Sequence, residues 1–154
     1  MKQITEQIYQ WLQIAGLKFG DVTKIPLAIS LVQEEFDEMK EALEKNDRDE
    51  LLDSIADLEF VIHNIAWFYG LTVEEIEKKY NQVVASNYSK FCQTREEAQQ
   101  AVIAYATGLH PSKPNENIAT HVVETGNAEY PFVVKNLESG KLLKGLAYKD
   151  PNQF

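Results

Sequence analysis

Glu50-Leu51-Leu52-Asp53-Ser54-Ile55-Ala56-Asp57-Leu58-Glu59-Phe60-Val61-Ile62-His63-Asn64-Ile65-Ala66-Trp67-Phe68-Tyr69 decides how this chain is read. Leu51, Ile55, Leu58, Ile62, Ile65 and Tyr69 recur at alternating spacings of four and three, the apolar stripe of an α-helix. From residue 60 to 69 the helix is apolar almost all round, which predicts the most buried element of the fold. Gly70 is placed to stop it. Three acids, Glu50, Asp53 and Asp57, stand on this helix directly before its most apolar stretch, at spacings of three and four.

Upstream, Pro26 opens a second helix in which Val32, Phe36, Met39 and Leu43 form a stripe, and Asn46-Asp47 offers a turn and an N-cap. This helix carries Glu34, Glu35 and Glu38, again at spacings of three and four. If the two helices form an antiparallel hairpin across Lys45–Asp49, the acidic sets can face each other. A solvated acidic face is the ordinary explanation for one such run. Here, few bases are near: only Lys40, Lys45 and Arg48 lie between residues 25 and 77. Carboxylates beside a buried helix are costly unless paired or metal-bound, and a hard divalent cation with oxygen ligands would balance them. Spacing alone leaves both explanations open.

The rest of the chain frames this hairpin. Ile4, Ile8, Trp11, Leu12 and Ala15 mark a first helix, interrupted by Gly16 and Gly20. Thr72 and Glu75 predict a capping box for a fourth helix with Ile76, Tyr80, Val83 and Val84 inward, and Thr94 and Glu97 another for a fifth, ending at Gly108. Beyond the loop from His110, residues 121–124, 130–137 and 141–144 read as short strands, the last two turned by Ser139-Gly140. The expected fold is an all-α core of four to five helices with a small C-terminal β-hairpin appendage. Residues 1–108 are expected to form the helical domain, and residues 109–154 a loop and hairpin extension of it.

The 154 residues carry a net charge of −9, which argues against a nucleic-acid partner, since phosphate neutralisation needs a basic surface. No run of apolar residues reaches membrane-spanning length and no signal pattern opens the chain. A single cysteine, Cys92, fits a cytoplasmic setting and forms no disulfide within one chain. His63 reads as a core or interface histidine, and His110 and His121 lack metal-ligand spacing. Cys92 reads as structural. Trp11, Trp67 and Phe68 suit a core, or a pocket for a nucleobase.

At the acidic residues the sequence resembles the MazG-like all-α nucleoside triphosphate pyrophosphohydrolases, which include dimeric dUTPases, dCTPases and phosphoribosyl-ATP pyrophosphohydrolases. Glu34-Glu35-x-x-Glu38 followed by Glu50-Leu51-Leu52-Asp53 matches the superfamily's two-part acidic signature, and Asp53-x-x-x-Asp57-Leu58 is similar to the form in smaller members. The resemblance extends to Phe19-Gly20, to Ser86-Asn87-Tyr88-Ser89-Lys90, and to Gly140-Lys141-Leu142-Leu143-Lys144 with Tyr148-x-x-Pro151. It is densest over residues 19–92. One departure is the lack of a histidine between Gln7 and Phe19, where many relatives carry one.

The resemblance implies cleavage of a nucleoside triphosphate between the α and β phosphates with Mg²⁺, Mn²⁺ being a possible substitute. It implies Glu35, Glu38, Glu50, Asp53 and then Asp57 as ligands, and Glu34 as a ligand or as base toward the attacking water. Glu34, Glu35 and Glu38 are thus the catalytic candidates. Asn87 and Lys90, and less strongly Lys79, are candidates for triphosphate or sugar contacts. Apolar surface left on the third and fourth helices leads to the expectation of a homodimer or a dimer of dimers. Phosphoribosyl-ATP hydrolysis is the nearest alternative activity. A non-catalytic helical oligomer binding a nucleotide or a protein is the alternative of another class.

Overall fold

A computed structural model describes residues 2–154. Five α-helices, with a small three-stranded antiparallel sheet towards the C-terminus, make up its regular structure among the described residues, apart from two short 3₁₀ turns. The helices are α1 (Lys2–Ile14), α2 (Ile25–Lys45), α3 (Arg48–Tyr69), α4 (Val73–Tyr88) and α5 (Arg95–Ala106). The strands are β1 (Thr120–Glu124), β2 (Phe132–Asn136) and β3 (Leu142–Leu143). This is the helical core with a small β appendage that the patterns predict. Two compact units are present, one ending at Lys78 and the other spanning Lys79–Phe154. Among the described residues no helix is long and apolar enough to cross a membrane.

In the first unit, α2 and α3 form the most extensive helix pair. Their turn is built from local chemistry. Asn46 takes a left-handed conformation (φ 53°) as C-cap of α2, and the Asp47 carboxylate accepts from the amides of Asp49 and Glu50 to start α3. The fully buried residues of α2 are the small Ala28 and Ala42, and Ser54 is buried on α3. Small side chains allow helices to approach closely. The core gathers Ile8, Tyr9 and Leu12 of α1 against Ala28, Trp67 and Phe68. Tyr9 and Phe19 each meet Trp67 edge-on, with ring centroids 5.0 Å away.

Burial on α3 departs from the predicted stripe. Ser54, Val61, Asn64 and Phe68 are buried, one residue round from Ile55, Ile62 and Tyr69, which are about half exposed or more. A helix apolar nearly all round does not tell its own sequence which side a neighbour will cover. His63 is a core histidine: Nδ1 donates to the Glu59 carbonyl (2.7 Å), so Nε2 accepts from the Thr5 hydroxyl at 3.0 Å. That pair ties α1 to α3.

In the second unit, α5 packs on β1 and β2 around Cys92, Ala98, Ala101, Tyr105 and Val134. The Thr94–Glu97 capping box forms, and so do the reciprocal bonds of Thr72 and Glu75 at the start of α4. The sheet runs β1-β2-β3, with Val122 opposite Val134 and Val134 opposite Leu143.

The predicted inward face of α4 is a second difference. Tyr80, Val83 and Val84 are exposed. A polar strip binds the C-terminal tail instead: Lys79 donates to Asn152, Gln82 to the Phe154 carbonyl, and Ser86 and Ser89 to the Lys149 carbonyl. Hydrogen bonds from the C-terminal tail claimed that face, and periodicity of apolar residues carries no sign of such a choice.

Candidate active site

Glu35 is the centre of the acidic set. It sits half-buried on α2, and its Oε2 is fully buried without a hydrogen-bond partner among the described residues. Burial raises its carboxyl above the usual range, and the charges of Glu38, Asp57 and Glu34 add to that effect. Asp57 belongs to α3, so the hairpin does bring acids from both helices together.

Glu50 and Asp53 are exposed on α3 and are not among the charges that act on Glu35. Glu50 faces the turn instead. Lys45 is held above its ordinary value by the hydrogen bond and charge of Glu41, with smaller contributions from Glu50 and Asp47. Among the described residues, no three His, Cys, Asp or Glu side chains are gathered closely enough to hold a metal ion.

The pairing of the nearby bases sharpens this picture. Lys40 pairs with Asp37 and Lys45 with Glu41 (3.0 Å), both acids outside the candidate set. None of Glu34, Glu35, Glu38, Glu50, Asp53 or Asp57 forms an ion pair among the described residues. The site is therefore a concentration of uncompensated negative charge with one buried, unsatisfied oxygen. An all-oxygen donor set of this kind fits a hard divalent cation, and it fits soft or nitrogen-preferring metals poorly.

Beside the acids runs an apolar groove of about 400 Å³ between α1 and α3. Gln7, Ile8 and Trp11 line it from α1, and Ala56, Glu59 and Phe60 from α3. Trp11 meets Phe60 edge-on at 5.3 Å and remains 53% exposed. Of the aromatics singled out in the sequence, Trp67 and Phe68 belong to the core and Trp11 to the groove. Gln7, Glu59 and Phe60 escaped the sequence reading. The signal was present in helical register: Ala56 follows Asp53 by three residues and Phe60 follows Asp57 by three, so acids and groove occupy adjacent strips of α3.

In the second unit, Lys90 donates to the Asn87 side chain (2.6 Å), Asn87 donates to the Val83 carbonyl, and Lys79 is bonded to Asn152. Residues 86–89 are joined to residues 148–149 by hydrogen bonds. Ser86, only 3% exposed, lies 3.0 Å from the Tyr148 hydroxyl, and Ser89 accepts from the Lys149 amide. The hydrogen bond from Ser86, followed by that of Lys144 and its charge, holds the Tyr148 phenol below its ordinary value. Cys92 is buried and burial raises its thiol, which suits the structural role expected of it. His110 is buried and stacked on Tyr105, and burial lowers it. His121 is exposed on β1.

Residues 21–83 match the family model of phosphoribosyl-ATP pyrophosphohydrolase. The match takes in α2, α3 and both acidic motifs, and stops before Asn87 and Lys90. No curated protein and no solved structure matches the chain. The family match supports a hydrolase of the nucleotide pyrophosphohydrolase type, acting on phosphoric anhydrides. The matched family is a member of the MazG-like nucleotide pyrophosphohydrolase superfamily, which the acidic helical hairpin of this chain resembles.

Proposed function

We propose that the chain hydrolyses a nucleoside or deoxynucleoside triphosphate to the monophosphate and pyrophosphate in the cytoplasm, with Mg²⁺, or Mn²⁺ in its place. The observation that carries this reading is the Glu35 carboxylate, with a buried, unpartnered Oε2 among acids that have no counter-ion. Glu35, Glu38, Glu50 and Asp53 are the proposed ligands, with Asp57 next. A divalent cation supplies neutralisation of phosphate charge and lowers the pKa of a coordinated water.

Glu34, exposed next to Glu35, is either a further ligand or the acceptor of a proton from the attacking water. The acids hold the reacting end of the substrate, and the groove beside them has the size and aromatic walls for a nucleoside. Asn87 and Lys90, with Lys79 a weaker candidate, remain proposed contacts for phosphate or sugar. Exposed Leu27, Ile29 and Leu43 on α2 and Leu52, Ile55 and Ile62 on α3 support a homodimer or a pair of dimers.

The name of the matched family favours phosphoribosyl-ATP as the second substrate to consider. The test is metal-dependent release of pyrophosphate from dNTPs, NTPs and phosphoribosyl-ATP. Turnover of dNTPs or NTPs is expected; turnover of phosphoribosyl-ATP alone would select the second substrate. A folded sample that turns over none of them with Mg²⁺ or Mn²⁺ would leave the non-catalytic helical oligomer as the better account.

A further inference from the structure

We infer that the α1–α3 groove selects a nucleobase bearing an exocyclic amine, and that Glu59 is the residue that selects it. The inference rests on the nucleotide reading above and concerns which base the groove admits. Trp11 and Phe60 offer aromatic surface on which any base can stack, so the walls alone discriminate little. Among the described residues, Gln7 and Glu59 are the amide and carboxylate side chains that line the groove. Neither side chain has a hydrogen-bond or ion-pair partner among the described residues.

The two differ in what they accept. The Gln7 amide both donates and accepts, so it pairs with either kind of base edge. A carboxylate only accepts. Cytosine and adenine each present an amino group, and guanine presents an amino group beside a ring N–H. Uracil and thymine present a single ring N–H flanked by carbonyl oxygens, and those oxygens face a carboxylate repulsively.

The backbone that holds Glu59 is tied down. Its carbonyl accepts from His63, which in turn holds Thr5 of α1. Tyr9 of α1 also donates to the Leu71 carbonyl at 2.8 Å. The two groove walls are therefore cross-linked by buried and part-buried hydrogen bonds, which fix the stretch of backbone that carries the Glu59 side chain.

The test has two arms. Turnover of dCTP, dATP, dGTP, dUTP and dTTP with Mg²⁺ should favour at least one amino base over both uracil and thymine by about tenfold or more in kcat/KM. In Glu59→Gln, whose amide also donates to a carbonyl oxygen, that preference should collapse to within about twofold. Binding of the α,β-imido analogues of dCTP and dUTP, followed by Trp11 fluorescence, reads the same preference without chemistry. A Trp11→Phe variant, checked for helicity, should lose the signal.

Best turnover of dUTP or dTTP overturns the inference and leaves the enzyme standing. Absent turnover with a retained preference in binding keeps the base assignment while sinking the reaction. Fluorescence unchanged by either analogue overturns the inference, as it would if a second copy of the chain covered the groove. An unchanged preference in Glu59→Gln removes Glu59 as the selecting residue.

Discussion

Glu35 of α2 lies in the field of Asp57 of α3, and its buried Oε2 has no hydrogen-bond partner among the described residues. The two residues lie on opposite sides of the helical hairpin, and no base among the described residues neutralises either of them. Most of what can be tested about this chain follows from that relationship.

Replacing Glu35 by Gln should lower activity and raise stability. The amide keeps the shape, removes the desolvated charge and can donate where the carboxylate could only accept. Pyrophosphate release should fall by about a hundredfold or more, the loss expected when a charged group is taken from a site that stabilises a transition state. The metal-free melting temperature should increase. A decrease in that temperature would show that the charge is compensated by something else.

Glu38→Gln should likewise abolish activity while far-UV circular dichroism stays near that of the parent. Glu38 is exposed on α2, so its loss removes charge without opening the core. Retained activity would exclude it from the site.

The raised carboxyl of Glu35 sets a sign for the pH dependence. A group whose folded pKa lies above its unfolded value stabilises the fold at low pH and loses that contribution as pH rises through the folded pKa. Melting of the metal-free protein should therefore shift upward as pH falls from neutral through the raised Glu35 carboxyl, relative to Glu35→Gln. Exposed Asp21 and Asp37, both held below their usual range by hydrogen bonds from Thr23 and Lys40 respectively, act in the opposite direction at lower pH. The comparison with the variant isolates Glu35. Saturating Mg²⁺ at neutral pH should raise the melting temperature of the parent more than that of the variant.

Gly70 closes α3 with φ at 85°. A Cβ there would stand 3.5 Å from the Gly20 Cα, an ordinary contact, so the cost of Gly70→Ala is backbone strain. Chemical denaturation should show a loss of about 1 kcal/mol.

Ser86→Ala should loosen the C-terminal tail. Its hydroxyl serves the Lys149 carbonyl and the Tyr148 phenol in a buried position. Hydrogen exchange of residues 148–154 should quicken, with a loss of about 1 kcal/mol if the tail unfolds with its unit. Unaltered exchange would mean that the bonds of Lys79, Gln82 and Ser89 hold the tail without it.

Local chemistry made much of the fold legible. Asp47, Gly70, Thr72–Glu75 and Thr94–Glu97 act through atoms within a few residues of themselves, and each caps its helix where the sequence predicts. The acids were legible as well, because spacing on a helix fixes which residues share a side. The identity of the acids that meet was not. Asp57 acts on Glu35 and Glu50 does not, since that depends on how α2 and α3 are rotated against each other.

The same limit explains the groove and α4. Gln7, Glu59 and Phe60 came together through contact between helices far apart in sequence, and no spacing within either helix encodes it. On α4 the tail took the polar strip through hydrogen bonds from more than sixty residues away, leaving Val83 and Val84 exposed.

The sequence by itself determined the helices, their ends and the uncompensated acidic pattern, because propensity, capping and charge act over one or two helical turns. Only the tertiary structure decided which faces are buried, which acids meet and where a nucleoside-sized groove opens. Those depend on rotation and register between elements, settled by the packing of side chains that are distant in sequence.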